Sequence, residues 1–285
     1  MTMTDPLRGR VVAITGAGRG IGLATARRLA AAGARISIGD IDAGLAEEAA
    51  AGLGGIGLPL DVRDRASFHA FLAETRAQLG DIDVLVNNAG IMASGPFTEE
   101  DDALSATQIA INLGGVITGC KLALPDMLAR GDGHIVNVAS MAGKLAVPGL
   151  AVYCATKHAV MGLTDTLREE YRDSGVHFTT ICPAKVTTEL AAGTDEAARR
   201  IPTASPEDVA DAIHDALLHH LRDVTVPRYM LPIASLQGVA PHWLLRNLRR
   251  TLGDRQVLEK LDSSARAGYE TRIRSLAGRR ADNDH

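Results

Sequence analysis

Cysteine is scarce. The chain has three among 285 residues, Cys120, Cys154 and Cys182, an odd number placed in separate apolar segments. That pattern excludes a disulfide or thiolate-zinc framework and leaves small core residues carrying reduced thiols. Long apolar runs are missing too: hydrophobic residues make up 46% of the chain, yet no run approaches the ~20 residues of a membrane span. The N-terminus lacks the basic-then-apolar pattern of an export signal, so a cytoplasmic protein is expected. Charge of one sign is never concentrated. The net charge of -4 is spread over interspersed acidic and basic residues, which gives no electrostatic footprint for nucleic acid. There is no fixed-period repeat, no low-complexity tract and no Pro/Ser-rich linker before residue 230. One α/β domain over residues 1–230 is expected, followed by a helical C-terminal extension over 231–285 with a disordered end.

What is present alternates between strand-like and helix-like stretches. The apolar run in Arg10 to Ile14 feeds into Thr15-Gly16-Ala17-Gly18-Arg19-Gly20-Ile21-Gly22, after which Ala24 to Ala32 has helical composition. This order reads as strand, glycine turn, helix. Glycines let the backbone take positive φ and approach a pyrophosphate, and the free N–H groups of a helix N-terminus attract its charge. The spacing is Gly-x-x-x-Gly-x-Gly, because Ile21 stands where Gly-x-Gly-x-x-Gly would place its third glycine. A second strand, Arg35 to Gly39, ends at Asp40, where a carboxylate accepts hydrogen bonds from an adenosine ribose 2′-hydroxyl and repels a 2′-phosphate. Asp40 thus favours NAD over NADP, while Arg19 can contact a phosphate and offsets part of that preference. Ile56 to Leu60 forms a third strand running into Asp61-Val62, a position whose side chain can bind the adenine amino group. A helix near Asp64 to Leu79 and a strand from Asp83 to Val86, followed by Asn87-Asn88-Ala89-Gly90, continue the alternation. A single Rossmann-like, doubly wound parallel sheet with helices on both faces is the expected architecture.

The second half carries the reactive side chains. Ala103 to Ala129 reads as one long helix, with Asn112 in its apolar middle and Pro125 near its end; a buried asparagine requires partners. The strand Gly133 to Ser140 presents Ser140 at the carboxyl edge of the sheet, where ligands of open α/β sheets lie. The helix Val152 to Arg172 sets Tyr153 and Lys157 four residues apart, on one face. A free phenol titrates near ~10, and an ammonium held nearby favours the phenolate, so the pair can carry a proton. The strand Val176 to Cys182 leads to Pro183-Ala184-Lys185-Val186-Thr187-Thr188, again at the carboxyl edge.

Six features occur in register: Thr15 with Gly16, Gly20 and Gly22; Asn87-Asn88-Ala89-Gly90; Asn112; Ser140; Tyr153 with Lys157; and Pro183 through Thr188. Over roughly residues 8 to 230 the chain resembles the short-chain dehydrogenase/reductase family in these features. The resemblance implies that Ser140 holds the substrate oxygen, that Tyr153 exchanges the proton, and that Lys157 lowers the tyrosine pKa and binds the nicotinamide ribose. It makes Asn112 the anchor of a proton-relaying water. It places Asp61, Val62 and Asn88 along the adenine and ribose, with Ala89 and Gly90 beside them, and Pro183, Val186 and Thr188 along the nicotinamide and pyrophosphate. Arg19 and Ile21 belong to the same cofactor cradle. One residue departs from the family pattern: Pro183 is followed by Ala184 where the family has glycine.

Around the reacting carbon the expected wall is apolar: Ile91, Met92, Met141, Leu145, Ala146, Val147, Leu150 and Leu190, beside Ser140 and Tyr153. This suits a secondary alcohol or ketone of steroid-, terpenoid-, retinoid- or lipid-like character better than a polyol. The expected activity is hydride transfer between NAD(H) and such a substrate. The alternatives are 3-oxoacyl thioester reduction and a non-catalytic NAD(H)-binding regulator. No metal is called for, since His134 and His158 lack ligand-like spacing and read as structural. Residues 191 to 203 read as a lid, Ser205 as the cap of a helix Glu207 to Leu221, and Val224 to Val226 as a last strand. Pro241 to Leu252 forms a basic amphipathic helix, of a kind that either touches a membrane surface or packs on protein. Arg279 to His285 reads as disordered. Apolar residues lie broadly around two helices, at Ile109, Ile111, Val116 and Ile117 and at Val160, Met161, Leu163 and Leu167, and point to a homodimer or homotetramer.

Overall fold

The computed structural model describes residues 5–193, 202–230 and 262–281. Seven parallel strands form one sheet: β1 Val11–Thr15, β2 Arg35–Asp40, β3 Ile56–Pro59, β4 Val84–Asn87, β5 Gly133–Val138, β6 Val176–Pro183 and a last strand, β9 Asp223–Val226. Their spatial order is β3-β2-β1-β4-β5-β6-β9, so the winding reverses between β1 and β4 and opens a crevice at their carboxyl ends. A parallel sheet covered on both faces needs continuous apolar strands, and β1 and β5 are buried at every position. A short parallel pair, β7 Lys185–Val186 with β8 Thr203–Ala204, lies outside the sheet and turns the end of the expected lid into strand.

Two apolar layers flank the sheet. On one face α1 Gly20–Ala31, α2 Ala43–Ala51 and α7 Pro206–His219 contribute Leu29, Ala46 and Ile213. On the other, α3 Arg65–Leu79, α5 Gly115–Arg130 and α6 Ala151–Glu170 contribute Phe68, Leu124 and Val160. The helix starts follow the chemistry of their caps. The Asp64 side chain accepts from the Ala66 N–H at 2.9 Å, and Ser205 and Asp208 close a reciprocal capping box on α7. At the far end of α6, the buried Arg168 donates to the Phe178 carbonyl and to Asp223, both at 2.9 Å, which pins that helix to β6 and β9.

The expected unbroken helix over 103–129 is interrupted. It consists of α4 Asp102–Ile109, a π turn over Ala110–Gly114, and α5. The cause lies in Asn112: its Oδ1 accepts from the Ile91 N–H and its Nδ2 donates to the Ile91 carbonyl, both at 2.8 Å. A wide turn at this point lets the side chain bond to a neighbouring loop, as such turns often do at functional sites. The stretch Asp102–Arg130 is long and apolar enough to cross a membrane by length and composition alone, but half of its apolar window is buried inside the fold.

A final helix, α8 Ser263–Ala281, docks on α4 through Tyr269 and Ile273, which are almost fully buried. Arg279 to Ala281 are therefore helical rather than disordered, because the helix they end is anchored. Residues 282–285 and the amphipathic stretch Pro241 to Leu252 lie outside the described residues.

Away from the carboxyl edge, three histidines stack. The His177 and His220 rings lie 3.8 Å apart at 20°, with the His134 ring 5.7 Å from His177. His134 is buried and bonds to Thr179 Oγ1 at 2.8 Å. Burial, then the neighbouring His177 and His220, push its imidazole down from 6.5 to about 3. The unfolded chain thus takes a proton at His134 below pH 6.5, while the folded chain stays neutral there down to about pH 3. Stability is full above pH 6.5 and falls towards pH 3, at up to about 1.4 kcal/mol per pH unit for this group. Carboxylates held low, such as Asp132 beside Arg10, act only below their ordinary 3.8. Urea midpoints of His134→Gln measured at several pH values between about 6 and 4.5 should show a flatter fall than wild type; an identical slope would assign the sensitivity to other groups.

Candidate active site

A single cavity of about 720 Å³ opens at the carboxyl edge of the sheet, and nearly all the residues singled out above converge on it. The glycine turn forms one wall. Gly16 sits at φ +62°, and a Cβ there would lie 2.8 Å from the Ala89 Cα, so only glycine permits this close approach of the β1 and β4 ends. Gly22 lies behind the cavity surface. A Cβ on it would meet the Gly16 carbonyl oxygen at 2.6 Å. Arg19, Gly20 and Ile21 line the space itself.

The ends of β1 and β4 are joined by side chains. Thr15 Oγ1 accepts from the Asn88 and Ala89 N–H groups at 3.0 Å, and Asn88 Nδ2 donates to the Thr15 and Gly16 carbonyls at 2.9 Å. Asp40, at the end of β2, is buried and accepts from the Gly18 N–H at 2.9 Å, so its carboxylate braces the turn and faces the cavity at once. Asp61 is gripped by Arg63, with Nη2 to Oδ2 at 2.7 Å, and Arg63 Nη1 donates to the Leu276 carbonyl of α8 at 2.7 Å. Val62, Gly90, Pro183, Val186 and Thr188 also line the cavity. Ala184 takes the family's glycine position without strain: its φ is not positive, and its N–H donates to the Val226 carbonyl at 2.8 Å.

Ser140, Tyr153 and Lys157 meet at the inner end. Burial raises the Tyr153 phenol above its ordinary value, and a hydrogen bond with Ser140 pulls it the other way. Lys157 Nζ donates to the Val138 carbonyl at 2.9 Å and lies 5.7 Å from the Tyr153 ring centroid. Its burial pushes the ammonium down to about 8. Desolvation is the largest influence on the Tyr153 phenol here, while the Lys157 ammonium is directed at a backbone carbonyl. Asn112 is wholly buried behind the cavity; its Oδ1 and Lys157 Nζ both approach Gly90, at 3.3 and 3.6 Å from where a Cβ would stand.

The apolar wall forms as the sequence suggests, with Ile91, Met92, Met141, Leu145, Val147, Leu150 and Leu190 all at the cavity and Ala146 alone missing. His134 lies at the opposite end of its strand, and the exposed His158 bonds to the Cys154 carbonyl one turn back. No group of metal-ligating side chains occurs among the described residues.

The expected helical C-terminal extension is present as α8, but its place in the cavity was not foreseen. Tyr269, Arg272 and Leu276 line the cavity, and Arg272 pairs with Glu189, whose other oxygen accepts from Arg19 at 3.1 Å. A signal was available in the spacing of Arg266, Tyr269, Ile273 and Leu276, which recur every three or four residues as one helix face does.

Comparison with known proteins points one way. The family model described as short chain dehydrogenase matches residues 10–199. The chain is 39% identical to a probable oxidoreductase, EphD, of Mycobacterium tuberculosis, over 73% of this chain but only 39% of that protein's length. It is 37% identical to 2-(S)-hydroxypropyl-CoM dehydrogenase 3 of Xanthobacter autotrophicus, over 74% of this chain and 90% of the relative. A crystal structure of a short-chain dehydrogenase/reductase from Burkholderia phymatum in complex with NAD superposes with a TM-score of 0.74 at 29% identity, over 81% of this chain and 94% of that one.

Proposed function

Because the chain belongs to the short-chain dehydrogenase family, we propose that it is an oxidoreductase transferring hydride between NAD(H) and an apolar secondary alcohol or ketone. The observation that carries this reading is the division of the cavity. One part is a glycine-lined cleft with Asp40 at its edge, the other is an apolar chamber, and Tyr153 with Ser140 and Lys157 stands between them. Five cationic side chains against three carboxylates line the space, a balance that suits a pyrophosphate. The nicotinamide, when bound, supplies or accepts the hydride.

The remaining work falls to the chain. Ser140 donates to the substrate oxygen and orients it, and the Tyr153 phenol gives a proton to a forming alcohol or takes one from a substrate hydroxyl. Lys157, close to its deprotonation point near 8, passes that proton towards Asn112 through the gap beside Gly90. The buried apolar walls exclude water around these groups. The NAD-bound relative supports the choice of cofactor, as does Asp40, whose carboxylate would sit against a 2′-phosphate. Assembly into a homodimer, a cytoplasmic location and a boundary near residue 230 belong to the same reading. Ile109, half exposed on α4, is the apolar residue best placed for a self-complementary patch.

Tyr153→Phe should lower kcat by about a thousandfold, leaving NADH binding by fluorescence titration close to wild type; near-normal turnover would sink the mechanism. Wild type should prefer NAD over NADP by more than about tenfold in kcat/KM, or about 1.4 kcal/mol. Asp40→Ala should relax that preference, with Asp40→Asn, which retains an acceptor for the Gly18 N–H, as the control for turn collapse. A wild-type preference for NADP would displace Asp40 from the ribose. Sedimentation equilibrium at micromolar concentration should give at least twice the 30.0 kDa chain mass, and a stable monomer would refute the assembly.

A further inference from the structure

Tyr269 on α8 is a second buried phenol lining the cavity, the exposed Tyr229 being the third tyrosine there. Tyr269 is nearly buried, and two guanidinium groups lie near its ring, Arg266 at 4.7 Å and Arg272 at 5.3 Å from the centroid. Its hydroxyl oxygen accepts from the Met92 N–H at 2.8 Å, on the apolar wall beside Tyr153. That bond uses a lone pair and leaves the hydroxyl proton, for which no acceptor occurs among the described residues. Burial holds the phenol up at about 12, so the proton is present at any working pH. A buried hydroxyl facing a cavity with an unused donor is a ligand contact in waiting.

Anchoring the wall does not require that hydroxyl. Arg266 already donates to the Met92 carbonyl, to the Leu190 carbonyl at 2.9 Å and to the Ala192 carbonyl at 3.1 Å. Those bonds tie the two loops of the substrate chamber to α8. Each flanking cation already faces a carboxylate, Arg266 Glu270 at 3.5 Å and Arg272 Glu189, although the buried Arg266 Nε has no hydrogen-bond partner among the described residues. The Tyr269 hydroxyl is a neutral donor, and with both flanking charges already facing carboxylates the position matches a neutral oxygen acceptor rather than a further carboxylate.

We infer that Tyr269 is a specificity-determining residue whose hydroxyl donates to a second oxygen of the substrate. The ligand is then an apolar alcohol or ketone that carries a further neutral acceptor, a carbonyl or ether oxygen, away from the reacting carbon. This inference rests on the proposed hydride-transfer reading, and names the substrate class of the same site.

The test uses the full chain with NADH and two matched ketone series. One consists of straight 2-alkanones; the other consists of oxo esters of equal chain length, with the ester set at increasing distances from the ketone. Wild type should favour at least one oxo ester over its alkanone by about tenfold or more in kcat/KM, since a site built to hydrogen-bond an oxygen penalises the analogue lacking it. Tyr269→Phe, which keeps the ring beside its two guanidiniums, should erase that advantage mainly through KM. Equal losses in both series would make Tyr269 a support for Met92 alone and overturn the inference, as would an unchanged preference. Binding separates this from the hydride-transfer reading. With NADH present, at least one oxo ester of the series should bind about tenfold more tightly to Tyr153→Phe than to Tyr153→Phe/Tyr269→Phe by calorimetry. Such a difference in a protein whose wild type turns over neither series would refute hydride transfer and retain the role of Tyr269, whereas no difference would refute that role.

Discussion

The hydroxyl of Thr15 and the amide of Asn88 hold the carboxyl ends of β1 and β4 together where the winding of the sheet reverses. Reversal alone would open a crevice there. What fixes its width is the backbone contact that follows, with Gly16 pressed so near Ala89 that no side chain fits between them. The groups above inherit their positions from that junction. Asp40 is placed because it accepts from Gly18 of the same turn, and Gly90, two residues beyond Asn88, is where Asn112 and Lys157 approach each other.

A second constraint, desolvation, governs the chemistry. Tyr153 and Lys157 are both buried, and burial works against the charged form of each, raising the phenol and lowering the ammonium. The protonated phenol is thus the resting form, ready to act as an acid towards a ketone. The lysine is poised where a small change in its surroundings moves its proton. Fixed hydrogen bonds to Val138 and around Asn112 keep these groups aligned without solvent.

Much of this was legible in the residues because it depends on local rules. The glycine turn, the carboxylate ending β2, and the Tyr-x-x-x-Lys spacing each express one backbone or helix-face requirement. The Ser205 cap was legible for the same reason. The interruption at Asn112 was not, since a π turn arises from a bond to Ile91, twenty-one residues away in sequence. The burial of Tyr153 was not legible either, because spacing reports proximity but not burial. The part of α8 in the site escaped because it is joined to the cavity by single long-range bonds, Tyr269 to Met92 and Arg63 to Leu276, and no neighbour in sequence foretells those. Composition at Arg279 to Ala281 suggested disorder, and anchoring upstream overrode it.

The paired charges of Arg19, Glu189 and Arg272 join three separate pieces of the cavity wall: the glycine turn, the segment after β7, and α8. Each of these side chains is between a third and a half exposed, so each pair contributes at most about 1 kcal/mol and is weakened by dissolved ions. The buried contacts of Arg266 and Tyr269, by contrast, are screened much less. One side of this wall is therefore held by packing and the other by charges whose grip depends on the surrounding electrolyte.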